Sequence, residues 1–158
     1  MNRQEVIALK VNLPRYLSEL SNLFGRPVSK EELLSPDETA VLQQQSRVHK
    51  RELPWRVQIP FSERLGRPFK ALLSALEELN PSPVYVWIKH ARECGVPRPT
   101  QLRDVHFDFD FAALPSGIVS ISTSDLADDM VLEFSKDENH QEILLVEVSG
   151  PRWRTASY

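Results

Sequence analysis

The chain has 158 residues, 41% of them hydrophobic, with 19 Lys+Arg against 22 Asp+Glu, 12 Pro, 5 Gly and one Cys. At that length one domain over residues 1–158 is expected, able to bury roughly 70% of its unfolded surface without a disulfide or metal. The lone cysteine and the lack of any apolar run near ~18 residues exclude a disulfide scaffold, a Cys-based zinc site and a membrane span.

In chain order, Asn2 to Lys10 offers Val6, Ile7 and Leu9 to one helix face. Pro14 reads as the first position of a second helix, with Leu13, Leu17, Leu20 and Phe24 at helical spacing and Gly25 as its stop. Ser29-Lys-Glu-Glu32 and Ser35-Pro-Asp-Glu38 both match the capping box, in which a serine and a glutamate satisfy each other's backbone donors. The second places a helix from Pro36 to about Lys50, whose last turn carries the basic stretch Arg47 to Arg51. Trp55, Val57 and Ile59 alternate in a segment that Pro60 would confine to a sheet edge. A helix from Pro68 to Leu79 buries Leu72, Leu73, Leu76 and Leu79. The run from Val84 to Ile88 suits a buried strand. The spacing of Val84, Trp87, Ile88, Ala91 and Cys94 between Ser82-Pro83 and Gly95 favours a helix instead.

From Val105 the period drops to two. Val105, Phe107, Phe109 and Phe111 alternate with His106, Asp108 and Asp110, the pattern of a half-buried strand. Pro115-Ser-Gly117 is a turn, and further strands are expected at Ile118–Ser122, Val131–Phe134 and Ile143–Val148. The expected fold is therefore α+β, an N-terminal helical layer (1–103) packed on a C-terminal four-stranded antiparallel meander (104–158).

Charge divides at the same point. Residues 1–103 hold 16 basic and 11 acidic side chains, a net of +5; residues 104–158 hold 3 and 11, a net of −8. Asymmetry of this kind marks a partner-facing surface or simply the solvated half of a domain. His106, Asp108 and Asp110 would project from one face of a strand. They could bind Mn or Mg and support a metal-dependent hydrolase, or present an acidic surface to a partner. Asp125 reads as a local cap, whereas Asp128 and Asp129 have no such local role and so suit a basic partner. Cys94 with His90 one turn earlier could form a nucleophile pair, but its place at the end of an apolar stripe favours a buried thiol. No nucleophile elbow or phosphate-binding glycine motif occurs, and a pI near 5.8 is poor for generic nucleic-acid binding.

The stretches Val105-His-Phe-Asp-Phe-Asp-Phe111, Leu114-Pro-Ser-Gly-Ile118, Ser124-Asp-Leu-Ala-Asp-Asp-Met130 and Ile143 to Val148 are similar in character to one known sheet. It is the C-terminal sheet of small bacterial immunity proteins of contact-dependent growth inhibition and related polymorphic toxin systems. The resemblance covers about residues 104–153 and implies a protein that binds and neutralises a cognate toxin domain, commonly a basic nuclease, by covering its active site with an acidic surface. Expected contacts are Asp108, Asp110, Asp128, Asp129 and Glu133, with Trp153 and Tyr158 as either anchors or struts docking the C-terminus. No catalysis, cofactor or metal, nucleic-acid contact or membrane contact is expected, and the expected location is cytoplasmic, since Arg3, Glu5 and Lys10 stand where a leader would be apolar. A scaffold or chaperone-like interaction protein is a further alternative.

Overall fold

The computed structural model describes residues 1–49 and 53–158, with the backbone alone at Phe111. Of the expected basic helix end, Lys50 and Arg51 lie outside the described residues. One helix, α1 (Arg3–Phe24), replaces the two expected before Gly25. Its start is a capping box: Glu5 N–H donates to Asn2 Oδ1 at 2.9 Å and Asn2 N–H to Glu5 Oε2 at 2.7 Å. Pro14 sits inside this helix on its exposed side, while Leu9, Leu13 and Leu17 pack against the core and carry the helix past it. Gly25 ends it with φ of 61°, the left-handed conformation that glycine adopts without a Cβ clash.

The Ser35–Glu38 box opens α2 (Pro36–Val48), and the Ser29–Glu32 box opens a 3-10 turn, Lys30–Glu32. α3 (Arg67–Leu79) buries Phe69, Leu72 and Leu76, while Leu79 is exposed rather than buried. The segment after Pro83 corrects the favoured helix: Val84–Trp87 is a strand, and only Ala91–Cys94 is helical (α4). Two β-branched residues and two aromatics fit a pleated surface better than a helix.

Five strands form one antiparallel sheet in the order β1-β5-β4-β3-β2, with β1 (Trp55–Pro60), β2 (Val84–Trp87), β3 (Ile118–Thr123), β4 (Asp129–Lys136) and β5 (Glu142–Ser149). The meander β3-β4-β5 follows the sequence pattern, and β1 lies on an edge as Pro60 requires. The fold is α+β, but the helices-then-sheet layout is corrected, because both edge strands come from the N-terminal half.

The expected strand at Val105–Phe111 does not pair. Its burial alternates as expected, with Val105, Phe107 and Phe109 buried and His106, Asp108 and Asp110 exposed. The place beside β3 that it would have taken is filled by β2. Its backbone bonds go elsewhere: His106 N–H donates to Leu23 C=O at 2.6 Å, and Phe109 C=O accepts from Arg64 Nη2 at 2.6 Å.

Alternation gives the sheet two unlike faces. Val84 and Val86, Val119 and Ile121, Met130, Leu132 and Phe134, and Leu144, Val146 and Val148 are buried in one cluster with α1, α3 and Trp153. The other face carries Tyr85 and Trp87 (β2), Ile118, Ser120 and Ser122 (β3), Asp129, Val131 and Glu133 (β4), Ile143, Leu145 and Glu147 (β5), and Arg56 (β1). Ser149 of β5, opposite Asp129, shares this face; it and Ser122 are buried, and the others named are half-buried or exposed.

Candidate functional site

The turn between β3 and β4 places its two aspartates in unlike surroundings. Asp128 is 0% exposed, and its Oδ1 accepts the N–H groups of Arg152 and Trp153 at 2.9 and 3.0 Å. Its Oδ2 accepts from Asn80 Nδ2 at 2.8 Å, so one carboxylate ties the end of α3 to the C-terminal tail. The expectation that Asp128 meets a partner is corrected: the side chain has no surface to offer. Gly150, at φ of 107°, leaves room for it, since a Cβ there would run into Asp128 Oδ1. Asp125 does the local work expected of it, accepting the Thr123 hydroxyl at 2.6 Å and the Ala127 N–H at 3.1 Å. Burial raises its pKa, but those two bonds, the Asn80 amide and Arg152 outweigh that and lower it below the usual range.

Asp108 and Asp110 stand on the unpaired segment, over the covered face of the sheet. Phe109 from that segment meets Phe134 of the covered face at 5.8 Å between ring centroids, and Phe107 meets Phe69 of α3 at 5.5 Å. Arg64 holds the segment down. Its Nη1 donates to Phe61 C=O at 3.0 Å, its guanidinium lies 3.9 Å from the Phe61 ring centroid, and Asp108, Asp110 and Glu142 act on its charge. His106 is exposed over Gly25, where an added Cβ would come within 2.9 Å of the imidazole. Among the described residues, no group of three or more His, Cys, Asp or Glu is placed to hold a metal ion, His106, Asp108 and Asp110 included.

Asp129 and Glu133 belong to the other, uncovered face, so the expected contact acids divide between opposite sides of the sheet. Asp129 accepts the Ser149 hydroxyl, and its cross-strand partner on β3 is Ser122. Glu133 is exposed between Ile118 on β3 and Leu145 on β5. The row next to it runs Arg56–Glu147–Val131–Ser120–Trp87 across all five strands. At one end Arg56 Nε lies 2.6 Å from Glu147 Oε2. At the other, Trp87 Nε1 donates to Ser122 Oγ at 2.9 Å, and its ring centroid lies 6.1 Å from that of Tyr85. The expected helical stripe takes Trp87 as one of its apolar residues and gives Tyr85 no role, whereas on β2 both lie half-buried on the open face. The alternation of Val84 and Val86 with these aromatics, read at period two, is the signal that exposes them.

Cys94 is buried, burial pushes its thiol up to about 11, and His90 Nδ1 lies 3.7 Å from the Glu93 carboxylate. A thiol raised in this way stays protonated at neutral pH and is a poor nucleophile. Trp153 is 0% exposed and docks the tail in the core; Tyr158 is 40% exposed and donates to Glu63 Oε2 at 2.8 Å.

This chain is thus an α+β protein with a five-stranded antiparallel sheet, helices on one face and the other face open. Comparison of the sequence and fold with protein-family models, curated proteins and solved structures gave no match. No helix among the described residues is long and apolar enough to cross a membrane.

Proposed function

We propose that the protein is a non-catalytic binding partner, an immunity or antitoxin protein that covers the working surface of a cognate toxin domain inside the cell that makes both. The observation that supports this above others is the open sheet face. It joins half-buried Tyr85, Trp87, Val131 and Leu145 to the acids Asp129 and Glu133. Aromatic anchors with a polar surround are what a protein–protein contact needs, since charge alone adds little at an exposed rim. The acidic surplus of residues 104–158 then serves the approach, raising the association rate of a basic partner. In this reading Asp129 and Glu133 are contact residues, Asp108 and Asp110 belong to the long-range field, and Asp128 holds the fold.

The test is protection of cells expressing the toxin domain encoded immediately upstream. Val131→Lys with Glu133→Lys should abolish protection and co-purification of the two proteins, while Asp108→Lys with Asp110→Lys retains both and slows association. Full protection by the sheet-face variant would contradict the reading.

A further inference from the structure

The two edges of the sheet are finished differently. β2 is covered on its outer side: Val84 N–H donates to Thr100 C=O at 2.7 Å, Thr100 N–H donates back at 3.0 Å, and Val86 is 1% exposed. We propose, independently of what the open face binds, that β1 at the other edge docks a second copy of this chain. The second copy adds its own β1, antiparallel, about a two-fold axis at Val57, and the two sheets become one.

The strand registers fix which backbone groups β1 has to offer. Along a strand, successive residues turn their N–H and C=O towards opposite neighbours. Val84 turns its own outward, so Tyr85 and Trp87 bond to β3, opposite Ser122 and Ser120. The unbroken registers carry this alternation across β3, β4 and β5 and leave Trp55, Val57 and Ile59 bonded to β5. Arg56 and Gln58 therefore turn their N–H and C=O away from the sheet. Both residues are exposed, and no strand or bridge among the described residues pairs with that side. Outward donors and acceptors in a row are a template for another strand.

This edge is complementary to itself in one register. Pro54, just before β1, and Pro60, at its end, have no N–H, so the complete pairing residues between them are Arg56 and Gln58. Pairing about Val57 sets Arg56 opposite the second copy's Gln58, and Gln58 opposite its Arg56. Each pair exchanges both of its backbone bonds, and the prolines fall at the two ends. Centring on Arg56 would set two like charges opposite one another. Centring on Gln58 would press the Pro60 ring against the Arg56 carbonyl of the second copy.

The side chains suit the same pairing. On the covered side, half-buried Trp55 and Val57 come beside Ile59 and Val57 of the second copy, so apolar meets apolar. On the open side Arg56, already engaged with Glu147, comes beside the neutral Gln58. A second copy matches this sidedness by symmetry. Both open faces stay on one side of the joined sheet, with Tyr85 and Trp87 uncovered at its far edges. The prolines keep the contact short and the two-fold closes it, so the product is a reversible dimer and not a growing fibre.

The test is sedimentation of the purified chain from micromolar to millimolar concentration, with oxidative cross-linking to read the register. The unaltered chain should pass reversibly from monomer to dimer and go no further. Gln58→Pro removes an outward N–H and no bond within the sheet. It should move the midpoint at least several-fold towards higher concentration, with unchanged thermal unfolding. Val57→Cys should form a disulfide-linked dimer in oxidised glutathione, because the two-fold brings its Cα atoms ~4.5 Å apart. Arg56→Cys should not, since its Cα atoms would lie roughly 8 Å apart, past the ~7 Å reach of a disulfide. Cys94 is buried and common to both variants, so it does not account for a difference between them. Four results would each overturn the proposal: a monomer even at millimolar concentration, assembly beyond the dimer, a dimer indifferent to Gln58→Pro, or Arg56→Cys linking as readily as Val57→Cys.

Discussion

Asp128 and Asp129 are consecutive carboxylates of the same chemical type, and their surroundings give them opposite roles. Asp128 collects two backbone N–H groups and the Asn80 amide in the interior, whereas Asp129 starts β4 on the open side, where it accepts a serine hydroxyl from β5. Removing the Asp128 carboxylate orphans the buried Trp153 N–H and takes one bond each from the Arg152 N–H and from Asn80 Nδ2, which keeps Asp125. An orphaned buried donor costs about 1–3 kcal/mol and each further lost bond about 0.5–1.5 kcal/mol. Asp128→Ala should therefore lose about 3 kcal/mol or more in urea unfolding, against at most ~0.5 kcal/mol for the exposed Asp108→Ala. A loss below ~1 kcal/mol for Asp128→Ala would contradict the assignment. In sequence the two residues are indistinguishable, because the partners of Asp128 lie 24 to 48 positions away. Asp125, whose partners Thr123 and Ala127 are local, was legible.

Elements were readable from the sequence where local chemistry decides them. The Ser35–Glu38 and Ser29–Glu32 boxes form as their spacing requires, and β3, β4 and β5 arise where alternation and turns place them. Reading failed where tertiary packing decides. Pro14 removes one helical N–H but does not divide α1, because the apolar stripe on both sides of it packs as a unit. Val105–Phe109 shows that period two reports burial on alternate sides and says nothing about pairing: the segment is half-buried like a strand yet lacks a ladder. What fixes it is Arg64, with donors to Phe61 and Phe109 carbonyls and a cation–π contact to Phe61. Arg64→Ala should cost about 2 kcal/mol, from one charge-assisted bond and the ring contact. It should also speed amide exchange at residues 105–110 relative to β4. Unchanged exchange there would show that the segment is held by its phenylalanines alone.

At the scale of the molecule, the +5 and −8 halves of the sequence do not become two sides of the structure. Strands β1 and β2 cross from the basic half into the sheet, and the acids of the second half divide between its faces. The turn network that joins sheet, α3 and tail makes stability depend on acid. Asp125 has a folded pKa below its unfolded value, so its contribution is present above ~4, the ordinary carboxylate pKa, and is lost as pH falls through the lower folded value. Between pH ~5 and ~2 the unfolding temperature should fall, and Asp125→Asn should flatten that fall. An identical acid limb in the variant would show that other carboxylates govern it.

The class of fold and the meander strands were legible from the sequence. The open face was not, since it exists only once β1 and β2 close the sheet at both edges. Hydrogen–deuterium exchange of the protein free and bound to its toxin domain tests most directly that this face is the working surface. Slowed exchange at 84–87, 118–122 and 129–135, with 105–110 unchanged, is the predicted result. Slowing confined to 105–110 and the helices would contradict it.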